Sequence, residues 1–447
     1  MHQGSCEENS LNFFHCPPLT HLPGRWGLIG YQLIMQETDM ATAWYKQVNP
    51  SQRKALFSAW LGYVFDGFDF MMIFYILHII KADLCITDIE ATLIGTVAFI
   101  ARPIGGGFFG ALADKYGRKP MMMWAIIIYS LGTGLSGFAT NLYMLAVCRF
   151  IVGIGMSGEY ACASTYAVES WPKNLQSKAS AFLVSGFSIG NIIAAQIIPR
   201  FSEAYGWRNS FFIGLLPVLL VLWIRKSAPE SQEWIEDKSK EKSTFADVFK
   251  NPHLPISLIV FLVCFSLFGA NWPINGLLPT YLAENGVTTT VISTLMTIAG
   301  VGTLTGTIFF GFVGDRIGIK KAFIVGLIAS FIFLCPLFFI PVSSTALIGL
   351  CLFGLMFTNL GIAGLIPKFI YNYFPTRLRG LGTGLIYNLG ATGGMAAPML
   401  ATYISGSYGL GISLFIVTVL FSALLITLIG FDIPGKIYKL SSRRLYD

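Results

Sequence analysis

Gly110-Ala111-Leu112-Ala113-Asp114-Lys115-Tyr116-Gly117-Arg118-Lys119 returns 201 residues later as Gly311-Phe312-Val313-Gly314-Asp315-Arg316-Ile317-Gly318-Ile319-Lys320. Each copy closes one long apolar segment and opens the next. A carboxylate, a turn glycine and clustered cations between two membrane-length segments are what a tight cytoplasmic hairpin needs. Glycine makes the bend, and Lys or Arg holds the loop inside. The shared spacing is G-x3-D-[RK]-x-G-x-[RK], and the second copy departs from it at Ile319, where Arg118 stands in the first. Each copy lies between the second and third apolar segments of its half, so the chain reads as an internal duplication.

Composition agrees. Of 447 residues, 54% are hydrophobic and 12% charged, a balance that belongs to polytopic membrane proteins. The net charge of +7 is spread in short groups between apolar runs, with no basic patch interleaved with aromatics, which excludes nucleic acid as a partner. The eight cysteines stand singly, six of them (Cys85, Cys148, Cys162, Cys264, Cys335, Cys351) in or beside apolar segments. Without a C-x-x-C pair they imply neither a disulfide framework nor a metal site. No P-loop, H-E-x-x-H or nucleophile elbow is present, so no enzyme and no cofactor is expected. Gly153-Ile154-Gly155-Met156-Ser157-Gly158 matches G-x-G-x-x-G but sits inside a membrane segment with no strand before it.

From Lys54 onward twelve segments are long enough to span a bilayer, the first at roughly 54–80 and the last at roughly 410–431. The expected fold is an all-α polytopic membrane protein whose twelve helices form two pseudo-symmetric six-helix halves. Its parts are a disordered extension at 1–39, with Met40 as the true start, a first half at 40–226, a cytoplasmic linker at 227–252, a second half at 253–431 and a cytoplasmic tail at 432–447. The linker is the charged stretch Ser227 to Pro252. With the amino terminus inside, 25 of the 30 Lys and Arg residues fall on the cytoplasmic side, which sets both termini there. The halves also match at Pro172–Gln176 and Pro375–Arg379, 203 residues apart. Gly106/Gly110, Gly186/Gly190, Gly302/Gly306 and Gly390/Gly394 read as small-x-x-x-small packing pairs.

Charges inside hydrocarbon cost about 2.5–3.5 kcal/mol each on insertion scales, so those retained are candidates for function. The first span holds Asp66 and Asp69, the second Arg102, the fourth Arg149 and Glu159. Their counterparts in the second half are Gly269, Trp272, Thr303, Leu352 and Ile362, none ionisable. Mid-membrane charge thus belongs to the first half, while the seventh span offers Asn271, Trp272 and Asn275. We expect Asp66, Asp69 and Glu159 to couple protons, and Arg102, Arg149, Asn271, Trp272 and Asn275 to contact substrate. Two carboxyls on one helix face in a dry cavity cannot both ionise cheaply, so one can take up and release a proton near neutrality. Arg102 has two readings: a bidentate clamp for an anionic substrate, or a partner for a span 1 aspartate. Arg149 and Glu159 are about 15 Å apart along one helix and must each find a partner on another span. Asp114, Arg118, Asp315 and Arg316 are expected to gate the cytoplasmic side, and Lys368 to snorkel to that surface.

The duplicated loop resembles the signature of the major facilitator superfamily. Three stretches are similar to the metabolite:proton symporter group within it: Asp66-Gly67-Phe68-Asp69-Phe70, Arg102-Pro103-Ile104-Gly105-Gly106-Gly107-Phe108-Phe109-Gly110, and Arg149 through Glu159. From Met40 on the chain looks most like bacterial sialic acid transporters. Two departures stand out. The best-known of those transporters carry two further spans where this chain has its linker, and Gln176-Ser177-Lys178 stands where the family prefers Arg-Gly, as in Arg379-Gly380. The resemblance implies proton symport of a small organic anion, sialic acid or a close derivative, by alternating access in a bacterial inner membrane, by a monomer powered by the proton gradient. The rival readings are a symporter of another small carboxylate or sugar acid, a proton-driven exporter, and a membrane sensor that binds without transport.

Overall fold

The structure, a computed structural model, describes residues 44–86, 88–236, 245–250, 253–341 and 343–443. The expectations for 1–39, for Met40 and for half of the linker charges lie outside those residues. The chain divides into two units, Met1–Val48 and Asn49–Asp447; in the first, Trp44–Lys46 forms a single 3-10 turn.

The second unit opens on a reciprocal cap. Asn49 accepts from the Gln52 backbone at 2.8 Å while Gln52 Oε1 accepts from the Asn49 backbone at 3.0 Å, and Pro50 supplies a pre-set first turn. From there the first half runs α1 (Pro50–Leu84), α2 (Asp88–Tyr116), α3 (Arg118–Ser136), α4 (Leu142–Glu169), α5 (Gln176–Tyr205) and α6, in two pieces, Trp207–Ile213 and Pro217–Ser227. The break in α6 precedes Pro217, which has no N–H to continue the ladder. Short helices Gln232–Glu236 and Phe245–Phe249 mark the linker.

The second half runs α7 (Leu254–Glu284), α8 (Thr289–Ile317) and α9 (Ile319–Leu337). Span α10 starts as Thr345–Leu355, widens into a π turn at Met356–Leu360, tightens to 3-10 at Gly361–Leu365 and ends as Ile366–Tyr371. Span α11 opens at Arg379–Leu381, passes a π turn at Gly382–Ile386 and the short Tyr387–Gly390, and ends as Gly393–Tyr408. The chain closes with α12 (Leu410–Gly430) and a terminal helix, Ile433–Arg443.

Twelve spans stand as expected, and the duplication is visible in the backbone. Gly117 and Gly318, at φ 109° and 87°, separate α2 from α3 and α8 from α9, a conformation open to glycine and strained for other residues. Among the described residues nine spans are at once long and apolar enough to cross a bilayer. The other three are α2, α3 and α11. Glycines let α2 and α11 approach closely, as at Gly106, where an added Cβ would run into the Gly384 carbonyl. Outward faces are apolar, as at Val325, Ile328 and Ile332 of α9, all exposed.

Within the first half α1 packs on α5, and α2 and α3 pack on α4; within the second α7 packs on α11 and α12, and α8 on α10. Two seams join the halves, α2 with α11 and α5 with α8. Repeat symmetry exchanges the seams. The candidate functional residues lie between them at mid-membrane and across them at the end that carries the two signature loops.

Candidate functional site at mid-membrane and its latch

All five mid-membrane charges are buried. Asp69 Oδ1 accepts from Thr133 Oγ1 at 2.7 Å, and its Oδ2 stands 3.6 Å from Arg149 Nη1. The α1 aspartates therefore part company. Asp69 faces α3 and α4 and is paired with Arg149, though its Oδ2 accepts no hydrogen bond among the described residues, whereas Asp66, one turn away, lies within electrostatic reach of Arg102, Asp69 and Arg149 with its Oδ1 likewise unpartnered. Arg149 finds its partner on another span, as its distance from Glu159 required.

Glu159 does not find one. Both its carboxyl oxygens lack a hydrogen-bond partner among the described residues, as does the nearby Tyr129 hydroxyl. Its Oε1 lies 2.7 Å from where a Cβ on Gly62 would stand, so the missing side chain there makes room for the carboxyl beside α1.

Arg102 donates from Nε to Asn388 Oδ1 at 2.9 Å, across the α2/α11 seam, and lies 5.9 Å from the Phe99 ring. No carboxylate is within ion-pair distance of it among the described residues. Around it gather aromatics from both halves. Tyr160 and Tyr387 stack at 3.9 Å, Tyr63 tilts on Tyr160 at 5.5 Å, and Trp272 meets Phe99 and Phe70 edge-on at 5.4 and 5.9 Å. Trp272 thus reaches the first-half cluster. Asn271 and Asn275 turn their amide N–H groups back on their own helix, to the Leu267 and Asn271 carbonyls, leaving their Oδ1 atoms for another donor.

At the signature-loop end each half grips the other. Asp114 accepts from the Gly380 and Leu381 backbone N–H groups, each at 2.9 Å, and Asp315 accepts from those of Ser177 and Lys178 at 3.0 and 3.3 Å. The four donor positions are equivalents under the repeat, and each carboxylate sits at the positive start of a helix. Beyond this the grips differ. Arg118 pairs with Asp114 at 2.6 Å, forks onto Glu169 at 3.1 and 3.0 Å and donates to the Thr376 carbonyl at 3.1 Å. Arg379 lies 3.6 Å from Glu169, pairs with Glu233 of the linker and covers the Tyr371 ring at 3.8 Å. Linker residues close over this end: Glu230 accepts from the Arg118 and Lys119 backbones, and Ser231 donates to Glu169 at 2.7 Å. Burial raises the Glu230 carboxyl above its ordinary value while the Ser231, Lys119 and Arg118 backbone N–H groups pull it down.

In the second half Asp315 pairs with Lys178 at 2.7 Å, and Arg316 stands exposed with no ion pair among the described residues. One residue along a helix is about 100° of rotation, which carries Arg316 away from the seam. Lys368, expected at the surface, is half-buried instead, bonded to Gln176 and set over the Tyr371 ring at 4.4 Å. Sequence reasoning passed over Glu169, Glu233, Lys178, Tyr129, Tyr160 and Tyr387. A carboxylate closing α4 at the membrane end that carries Arg118 was the available signal for Glu169; the tyrosines gave none, since a phenol in a span commonly packs without a further role.

The sequence model of the Major Facilitator Superfamily matches residues 59–284 and 260–444. The sialic acid transporter NanX of Escherichia coli (strain K12) is 89% identical over 402 residues, 90% of this chain and 99% of that protein, so the shorter centre of this chain is shared with that relative. The proton:xylose symporter XylE superposes with a TM-score of 0.71 at 17% identity, covering 85% of this chain and 95% of that one. FucP in the outward conformation gives 0.68 at 16%, over 84% and 98%. The chain belongs to the major facilitator superfamily, as a multi-pass membrane transporter and not an enzyme.

Proposed function

We propose that this protein imports sialic acid or a close derivative together with protons, across a bacterial inner membrane, with the signature loops and both termini in the cytoplasm. The observation that carries the substrate is the 89% identity to a sialic acid transporter over nearly its whole length. The site supports it chemically. Sialic acid has one carboxylate, and Arg102 is the buried cation without a carboxylate partner among the described residues. A guanidinium fork at mid-membrane, ringed by Tyr63, Tyr160, Tyr387 and Trp272, suits an acid with a polar, ring-shaped body.

Asp66 and Glu159 are the proton carriers in this reading. An ionised carboxylate buried without hydrogen bonds costs several kcal/mol, about 1.4 of which is a factor of ten, and a bound proton removes that cost. Asp69, held by Arg149 and Thr133, serves instead as a fixed charge. One proton moving with one monovalent acid is electroneutral, and a second would draw on about 2.3 kcal/mol per 100 mV of membrane potential. With the cytoplasmic latch closed, alternating access in this reading requires the substrate to enter from the outside. Proton and acid together then neutralise the buried charges of Asp66 and Arg102 at mid-membrane, and in this reading the loaded protein exchanges the latch.

The test is uptake of labelled sialic acids and a panel of other carboxylates into vesicles holding the purified protein, with and without an imposed pH gradient. Accumulation of sialic acid above its outside level, driven by an acidic exterior, is the expected result. Gradient-independent equilibration, or accumulation of a different acid only, overturns the reading.

A further inference from the structure

We propose that Asn388 is the positioning residue for Arg102: it aims the guanidinium at the substrate carboxylate, so that the acid is gripped while α2 and α11 are held together. The inference rests on the proposed role of Arg102 and adds to it a residue from the other half of the molecule.

The Arg102 Nε–Asn388 Oδ1 bond, 2.9 Å and buried, is the one hydrogen bond Arg102 makes among the described residues. With Nε taken, the two terminal nitrogens form a free edge, the edge that binds a carboxylate with two parallel bonds. The amide is held the right way round. Its Nδ2 donates to the Gly384 carbonyl at 2.6 Å, which leaves Oδ1, the acceptor, facing the guanidinium. Backbone geometry brings the two together. The π turn Gly382–Ile386 immediately precedes Tyr387 and Asn388, and its extra residue rotates both of them relative to a regular helix. Gly106 and Gly384 let α2 and α11 close to contact, since a Cβ on Gly106 would strike both the Asn388 amide and the Gly384 carbonyl. Tyr387, beside Asn388, stacks on Tyr160 and fixes the same turn from the other side.

The duplicated half provides a control. The equivalents of Arg102 and Asn388 are Thr303 and Ser185, at the α5/α8 seam. Thr303 donates to its own helix at Ala299, and Ser185 accepts from Trp60 of α1 and donates to its own helix at Phe182, so no bond crosses that seam between them. A bond needed to hold two halves together would be expected in both seams. This one is found only where there is a cation to aim.

The experiment measures binding of sialic acid and of its neutral carboxamide to purified wild type, Asn388→Ala and Asn388→Asp across pH, with uptake KM and Vmax alongside. Arg102 of α2 bonds Asn388 directly; the titratable groups close to the neighbouring Tyr387 are Tyr63 of α1, Tyr160 of α4 and Cys264 of α7, with Asp66 of α1 and Glu159 of α4 close to Tyr63, and the wild type reports their contribution. Asn388→Ala is expected to weaken the acid about tenfold or more, raising KM with little change in Vmax, and to leave the carboxamide within about threefold. Asn388→Asp puts a carboxylate against the guanidinium, so it should lose the acid at neutral pH and regain it, relative to wild type, as acidification protonates the new side chain. Asn388→Ala should show no such recovery. Equal losses for acid and carboxamide, or no pH-dependent recovery in a folded Asn388→Asp protein, overturns the proposal. If wild type itself does not distinguish acid from carboxamide, it is the anion role of Arg102 that fails, and both readings fall.

Discussion

The two halves of this molecule are copies that have specialised in opposite ways. In the first, α4 and α5 are unbroken helices, and the buried charges Asp66, Asp69, Arg102, Arg149 and Glu159 all lie there. In the second, the equivalent spans α10 and α11 carry π and 3-10 turns, and the equivalent positions are uncharged. A buried charge needs fixed partners, because a small displacement leaves it unsolvated; regular helices provide that rigidity. An irregular turn at membrane depth is tolerated where it lies inside the protein, and it places backbone and amide groups out of helical register. One half holds the ionic chemistry in place, and the other brings adjustable neutral groups such as Asn388 and Tyr387 to it.

The largest effect that would test this division is the removal of one member of the fixed pair. Asp69→Asn leaves Arg149 buried without its ion partner and should cost about 3–5 kcal/mol of stability. Asp69→Asn combined with Arg149→Gln should recover much of the loss. Thermal melting of the purified single and double variants reads both. If Asp69→Asn melts like wild type, the pair is not structural, and Asp69 becomes a candidate proton carrier again.

The next effect is on coupling. Asp66→Asn removes a carboxyl with an unpartnered oxygen and leaves the Asp69–Arg149 pair intact, so its melting temperature should stay near that of wild type. Its gradient-driven accumulation should fall at least tenfold while exchange of labelled for unlabelled substrate persists. Glu159→Gln should do the same if both carboxyls carry protons, and should leave accumulation unchanged if one suffices. Accumulation at the wild-type level in Asp66→Asn would move coupling out of the first half and break the comparison.

The sequence made the duplication, the spans and the confinement of buried charge to one half legible, because all three are matters of spacing along the chain. It was silent on partnership between helices. Asp66 and Asp69 share a helix face in the sequence, yet one turn's offset along the α1/α4 contact decides that Asp69 pairs with Arg149 and Asp66 does not. Likewise the second copy of the loop offered Arg316 next to Asp315, but the helix turns Arg316 outward and Lys178, from the other half across the same seam, takes the position. The π turns in α10 and α11 were hidden as well. Their sequences, Met356–Leu360 and Gly382–Ile386, are compatible with an α-helix, and close packing around Gly306, Gly361 and Gly384 selects the wider turn.

The smallest expected effect comes from making the halves more alike. The first signature loop has Arg118 bonded to Glu169 under Arg379; the repeat equivalents in the second are Ile319, Asn372 and Gln176, all uncharged. The closed latch is therefore strong at one seam and weak at the other, and the weak seam, held by Asp315 and Lys178, is the one that can part first when the halves rock. Replacing Ile319 by Arg and Asn372 by Glu would copy the pair into the second half, from where the new guanidinium would reach across the weak seam to the Lys173 carbonyl, as Arg118 reaches the Thr376 carbonyl. Asn372 is exposed and Ile319 half-buried, so the new pair should contribute only about 0.2–1 kcal/mol. That favours the closed latch by a factor of about 1.4–5 and slows turnover by a similar factor without changing affinity for substrate from the outside. Fluorescent labels on the two signature loops would read the closed fraction directly, and raising the salt concentration should erase most of the change because the pair is near solvent. A salt-sensitive shift toward the closed latch with slower uptake places the opening step at the α5/α8 seam. Unchanged closed fraction and rate in the folded double variant would mean that the two seams part together and that their unequal charge does not set the order of opening.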